Sequence, residues 1–282
     1  NRQGPSGLLS TSNPDHSEGK TLTTWKEQTV NVAGSELVLV RGGQGKPLVV
    51  LHDEMGYTGW MGWNEELAKV RELIIPLQPG FGKSARLDWA WRHRDIANFY
   101  QNMIRELNLG KVDLLGFSAG GYIAAEMAAA YPEQLSSLAL VGPMGIKPDE
   151  GEIYDMFACT INTYLRASVA SQENEFANIY GGEMTPEQFE LFEDARAESA
   201  RIGWEPYMFN PSLPWLLRSA ANAKLPTVLI RGKEDGIVPQ DCIRKYKEAL
   251  PQAEVVTIDG AGHRPEIEKK DAFVAAVKKV LS

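Results

Sequence analysis

Two alternating runs, Gln28–Ala33 and Glu36–Arg41, flank Ala33-Gly34-Ser35 and predict a hairpin at the start of the ordered chain. Pro47–Leu51 then begins a different pattern, in which short continuous apolar runs recur at Leu73–Pro76, Val112–Leu115, Ser137–Val141, Thr227–Arg231 and Glu254–Ile258. Such runs suit strands buried on both faces. Between them, helical spacing covers Asn64–Val70, Arg92–Leu107, Ala119–Ala130, Gln240–Ala249 and Ile267–Val280. Leading strands followed by alternating β and α segments predict an α/β protein with about eight strands in a mostly parallel sheet and helices on both faces.

The alternation breaks between Pro143 and about Ala220, where helical patterns follow one another without a strand. The segment holds eleven aromatic residues. Two readings apply to them. They pack the insertion's own helices and seat them on the sheet, or they line the inner face of a lid over an apolar pocket, with Met156, Phe157 and Trp204 as candidate substrate contacts. The expected organisation is an N-terminal tail over 1–24, a core formed by 25–142 and 221–282, and a helical lid over 143–220. A chain of 282 residues accommodates one large domain with such an insertion.

Composition narrows the partners. Hydrophobic residues at 43% and charged residues at 23% are ordinary globular values. The net charge of −8 argues against nucleic acid or an anionic membrane surface as partner. Cys159 and Cys242 cannot build a disulfide framework, and no Cys/His cluster has zinc-ligand spacing, so no metal site is expected. No apolar run approaches the ~18 residues of a membrane span. A cytoplasmic protein is expected, with a cleaved export signal as the alternative because the chain begins at Asn1.

The strongest chemical signal is Val112–Gly121, an apolar strand that enters Gly116-Phe117-Ser118-Ala119-Gly120 and passes directly into an Ala-rich helix. This is the context of a nucleophile elbow: Ser118 occupies a tight strand-to-helix turn, and the flanking glycines let backbone segments approach closely. The helix N-terminus offers free N–H groups, Ala119 first, to a developing oxyanion. A serine hydroxyl needs a base, and the chain has four histidines, His16, His52, His93 and His263. His16 lies in the tail, and His93, between Arg92 and Arg94, is expected on a solvated surface. His263 sits in the turn-rich Gly260–Pro265 loop after the last predicted strand. Asp235, in the loop after the preceding strand, is the expected orienting acid, with Glu234 as the fallback.

The order Ser118, Asp235, His263 resembles that of the α/β-hydrolase superfamily. Pro79-Gly80-Phe81-Gly82-Lys83-Ser84 is similar to the family's P-G-x-G-x-S loop, and Leu51–Gly56 stands in place of its H-G-x-x-G. The resemblance implies that Glu54 supplies the second oxyanion N–H, although this chain has Asp53 where the family has glycine. The acidic side chains of Asp53 and Glu54 either turn to solvent or touch a polar substrate group. Leu77 stands where a phosphate-binding loop ending at Gly82-Lys83-Ser84 requires glycine, and Ser118 where a dinucleotide fingerprint does, so no cofactor is implied.

The resemblance implies a cofactor-independent serine hydrolase of small to medium apolar or aromatic esters. Alternatives are a C–C bond hydrolase of dienoic ring-cleavage products, a perhydrolase or lactonase, and a hydrolase-fold ligand receptor with little turnover. A C–C hydrolase needs basic residues for a substrate carboxylate, for which the insertion offers Arg166, Arg196, Arg201 and Arg218. A small molecule is the expected partner, and a monomer or homodimer the expected state.

Overall fold

A computed structural model describes residues 23–171 and 185–281. The tail expected over 1–24 falls almost wholly outside the described residues. Eight strands form one sheet: β1 (Trp25–Val32), β2 (Ser35–Gly43), β3 (Pro47–Leu51), β4 (Glu72–Pro76), β5 (Val112–Phe117), β6 (Leu135–Val141), β7 (Thr227–Gly232) and β8 (Glu254–Ile258). Their order is β1-β2-β4-β3-β5-β6-β7-β8. The β1-β2 and β2-β4 pairs are antiparallel and all the others parallel.

Side chains of the central strands alternate between two cores, as extended backbone requires. Val49 and Leu114 face one core together with α2 (His93–Glu106), α3 (Ser118–Ala130) and α8 (Gln240–Ala249). Val50 and Leu115 face the other, covered by α1 (Gly62–Ala68) and α10 (Lys270–Lys278). The single final helix expected over Ile267–Val280 is instead two, α9 (Pro265–Glu268) and α10. Lys269, at φ −138° and ψ 53°, breaks it.

Among the described residues, four helices lie between β6 and β7: α4 (Ile161–Ala167), α5 (Pro186–Gly203), α6 (Leu213–Leu216) and α7 (Arg218–Asn222). Thr185 begins α5 with a reciprocal capping box to Gln188, which satisfies helix-end N–H groups that otherwise lack partners. Ile161, Tyr164, Leu165, Ile202 and Leu213 bury themselves in the first core. The aromatic residues Phe176 and Tyr180 lie outside the described residues. Among the described residues, no helix is long and apolar enough to cross a membrane.

The chain leaves β3 toward β4 on one side, and β5 pairs with the other side of β3. Strand order therefore reverses here, and the loops after β3 and β5 leave the same sheet edge next to each other. That crevice is where open α/β sheets place their ligands. Here it brings Glu54 to Ala119.

Candidate active site

The elbow is built as its glycines require. Ser118 has φ +49°, a left-handed conformation that a side-chain-bearing residue rarely adopts and that marks stored strain at a turn. A Cβ on Gly116 would lie 2.5 Å from the Gly120 carbonyl oxygen, and one on Gly120 would lie 2.2 Å from that of His52. Only glycine at both positions lets the turn close against β3.

His263 follows β8 in the sequence and meets Asp235, which follows β7. His263 Nδ1 lies 2.9 Å from Asp235 Oδ2, with both side chains buried. The other Asp235 oxygen accepts the backbone N–H groups of Ile237 (2.8 Å) and Val238 (2.9 Å), which fixes the carboxylate plane. The fold thus brings Asp235 and His263 together. The fallback, Glu234, accepts the Ala261 N–H and braces the histidine loop. The His263 backbone N–H is held by the Ser168 carbonyl of the insertion (2.8 Å). Burial pulls the His263 pKa down, but the Asp235 charge and hydrogen bond, helped by Glu54, outweigh it and leave the pKa above the ordinary histidine value. Ser118 Oγ and His263 Nε2 are both buried and neither makes a hydrogen bond of standard geometry. Such contacts commonly tighten only when substrate binds.

The acidic pair after His52 does not turn to solvent: Asp53 and Glu54 are each at most 5% exposed. The Glu54 carboxylate lies over the elbow. Its Oε2 accepts the Ala119 N–H (3.3 Å) and its Oε1 the Tyr164 hydroxyl (2.5 Å). Burial pushes the Glu54 pKa up, but the His263 charge and the Tyr164 and Ser118 hydroxyls outweigh it, so the carboxyl titrates below its usual range. Asp53 is held by Arg264 Nη1 (2.6 Å) and by the Met55 N–H (2.8 Å). Burial still raises its pKa to about 6, against the pull of Arg264. Burial likewise raises Glu266, beside Arg264, to about 7. A cavity of about 20 Å³, room for one water molecule, lies among Asp53, Tyr57, Arg264 and Glu266.

His52 holds the loop. Its Nε2 accepts the Gln78 N–H (2.9 Å) and its Nδ1 faces the Asp53 carbonyl (2.7 Å), an arrangement that selects the neutral Nδ1–H tautomer. Burial lowers its pKa to about 4. His93 is not on the surface. It is buried and stacked on Tyr122 with ring centroids 4.3 Å apart, and burial lowers its pKa to about 4 as well.

The proposed lid contacts are distributed differently from the expectation. Met156 is core. Phe157 packs on Tyr207 and lines a groove of about 720 Å³ with Thr160, Phe189 and Arg196, which Ser118, Asp235 and His263 do not line. Trp204 is 65% exposed, edge-on to Tyr207. Three residues at the site escaped the sequence reading. Tyr164 signalled itself only as one of many insertion aromatics. Gly142, just after β6 at φ +47°, leaves room that a Cβ would fill 2.9 Å from the His263 ring. Arg264 adjoins His263 in sequence but is recognisable only through its distant partner Asp53. Among the described residues, no three His, Cys, Asp or Glu side chains are placed to hold a metal ion.

Residues 37–270 match the family model described as alpha/beta hydrolase fold. The chain is an α/β-hydrolase. It is 29% identical over 265 residues to a 2-hydroxymuconate semialdehyde hydrolase of Pseudomonas sp. (strain CF600), covering 89% of this chain and 92% of that one. It is 27% identical to a pimeloyl-[acyl-carrier protein] methyl ester esterase of Aeromonas salmonicida (strain A449), covering 84% and 96%. The fold is also similar to that of 2-hydroxy-6-oxo-6-phenylhexa-2,4-dienoate hydrolase from Rhodococcus sp. strain RHA1, with a TM-score of 0.70 at 20% identity over 91% of this chain and 98% of the other. These relatives are named as hydrolases and as an esterase, and this α/β-hydrolase is a hydrolase by class.

Proposed function

We propose that this protein is a cofactor-independent serine hydrolase that cleaves esters or related acyl compounds of modest size. The observation that carries the reading is Ser118, held at φ +49° on the elbow, with His263 fixed by a buried hydrogen bond to Asp235. Ser118 Oγ attacks the substrate carbonyl while His263 takes its proton, and the Asp235 carboxylate stabilises the resulting imidazolium and fixes its orientation. The new oxyanion lies toward the Ala119 N–H and the Glu54 backbone N–H. The tetrahedral species collapses as His263 returns the proton to the leaving alcohol, and an acyl-Ser118 ester forms. Water, deprotonated by His263, attacks that ester and releases the acid with Ser118 restored. The helices between β6 and β7 serve as the cap over this site.

The test is steady-state turnover of short p-nitrophenyl esters beside Ser118→Ala. Multiple turnover in the wild type, with a loss of at least about 10³-fold in the folded variant, supports the reading. Turnover unchanged in Ser118→Ala overturns it.

Similarity to curated hydrolases named for dienoate substrates favours a second reading, C–C bond hydrolysis on the same triad. The insertion arginines offered for a substrate carboxylate are largely engaged elsewhere. Arg196 donates to the Cys159 carbonyl (2.7 Å), Arg201 pairs with Glu198, and Arg218 lies over the Trp215 ring. The ester reading is therefore the better supported.

A further inference from the structure

The seat that a substrate oxyanion requires is already taken. Reaction through Ser118 needs a negatively charged oxygen within hydrogen-bond reach of the Ala119 N–H, and Glu54 Oε2 lies 3.3 Å from that nitrogen. The segment between β6 and β7 holds the loop and its carboxylate there. Tyr164 donates to Oε1 (2.5 Å), and Ser199 Oγ donates to the Glu54 carbonyl (2.7 Å), so two insertion residues fasten Glu54 from above. The Glu54 backbone N–H also favours the charged carboxylate. Both N–H groups expected to bind substrate oxygen thus act on one side chain of the protein.

Chance burial does not account for this placement. A carboxylate taken out of water without partners costs several kcal/mol, and this one is almost fully buried. It has two donors of its own, and the His263 ring adds a favourable charge. Asp53, which Glu54 acts on electrostatically, is itself paired with the buried Arg264. His93 also lies within its electrostatic reach.

We propose that Glu54 is the resident occupant of the oxyanion hole and the residue that selects the acyl group, admitting neutral acyl chains and rejecting those that carry a carboxylate. The inference rests on the serine-hydrolase reading of Ser118. A substrate carbonyl enters the hole only when the Glu54 side chain rotates away from Ala119. The loop fastening at Ser199 and the short side chain keep the displaced carboxylate inside the same buried pocket. A second anion on the acyl side then meets it a few ångströms away, where charge repulsion is worth several-fold to hundredfold in affinity.

The experiment has two parts. The first uses the intact chain with Ser118→Ala, alone and combined with Glu54→Gln or Glu54→Ala, and measures benzoate binding by titration calorimetry. Benzoate offers its carboxylate to the hole without any chemistry at residue 118. The proposal expects at least about tenfold tighter binding in both double variants. Equal affinity in all three folded proteins overturns it. The second part compares p-nitrophenyl butyrate with the anionic p-nitrophenyl succinate in the wild type, Glu54→Gln and Glu54→Ala. The expected result is a neutral-to-anionic kcat/KM ratio that falls about tenfold or more in the variants. An unchanged ratio overturns selection by Glu54, and so does loss of all turnover in both folded variants, because Glu54 would then take part in the chemistry. Turnover indifferent to Ser118→Ala overturns the serine reading instead. The benzoate comparison still decides on Glu54, so the two failures are distinguishable.

Discussion

Arg264 and Asp53 form an ion pair, Nη1 to Oδ2 2.6 Å, in which each side chain is about 6% exposed. The pair joins the residue after the candidate base His263 to the residue after His52, and so ties the loop of β8 to the loop of β3. Removing one partner of a buried pair leaves the other charge uncompensated. Arg264→Met is therefore expected to lower unfolding free energy by about 3–5 kcal/mol, read as a shift of the urea midpoint at constant slope.

The same cluster sets a pH dependence of stability. Asp53 moves from 3.8 to about 6 and Glu266 from 4.5 to about 7 on folding, both upward. A group whose folded pKa is raised contributes fully below its unfolded pKa and loses that contribution as pH rises through the folded value. Stability from these two carboxyls is thus expected to decline between about pH 4 and pH 7. Glu266→Gln should flatten that decline in a series of denaturant titrations, and an unaltered slope would contradict the assignment.

Activity should follow pH in the opposite sense. His263 acts as a base only when neutral, and its pKa is raised, with the Asp235 charge as the main cause opposing burial. The free-enzyme limb of kcat/KM is expected to rise through an apparent pKa above the usual histidine value. Glu54→Gln removes one of the charges that raise it and should shift the limb to lower pH.

Gly142 offers a steric probe of the dyad. An added Cβ would stand 2.9 Å from His263 Cε1 and Nδ1 and 3.1 Å from Asp235 Oδ2, on backbone at φ +47°. Gly142→Ala is expected to cost about 1–3 kcal/mol of stability and roughly 10²-fold in kcat/KM, since small displacements of catalytic groups carry large rate penalties. Full activity in the variant would show that the His263 ring tolerates displacement.

Trp204 should matter little. With 65% of its surface exposed and Tyr207 edge-on to its ring, Trp204→Ala is expected to change unfolding free energy by about 0.5 kcal/mol or less and to leave KM for a p-nitrophenyl ester unaltered.

The parts of this molecule that are legible in sequence are those governed by local pattern. Eight apolar or alternating runs became eight strands, and Gly116 and Gly120 announced the elbow because backbone contact there admits no other residue. His93 carried a readable signal that its arginine neighbours masked. Counting from it, Ile96, Ala97, Tyr100, Met103 and Ile104 repeat at three- and four-residue spacing, and that whole stripe is buried. Glu54 carried none. Its burial depends on Ala119, 65 positions away, and Tyr164, 110 positions away, and no local rule anticipates a carboxylate satisfied by such distant donors. The break at Lys269 was hidden similarly, because helical spacing runs through it on both sides.

The Ser168 carbonyl that holds the His263 N–H, and the Ser199 and Tyr164 hydroxyls that hold Glu54, all belong to the segment between β6 and β7. That segment is therefore not an interchangeable module. A chimera that takes this region from another hydrolase would, in the same exchange, lose the Tyr164 and Ser199 hydroxyls that hold the loop after β3 in place. An exchange that keeps Glu54 must therefore bring a hydroxyl at positions 164 and 199 with it, so that one buried side chain ties together two sequence-distant blocks.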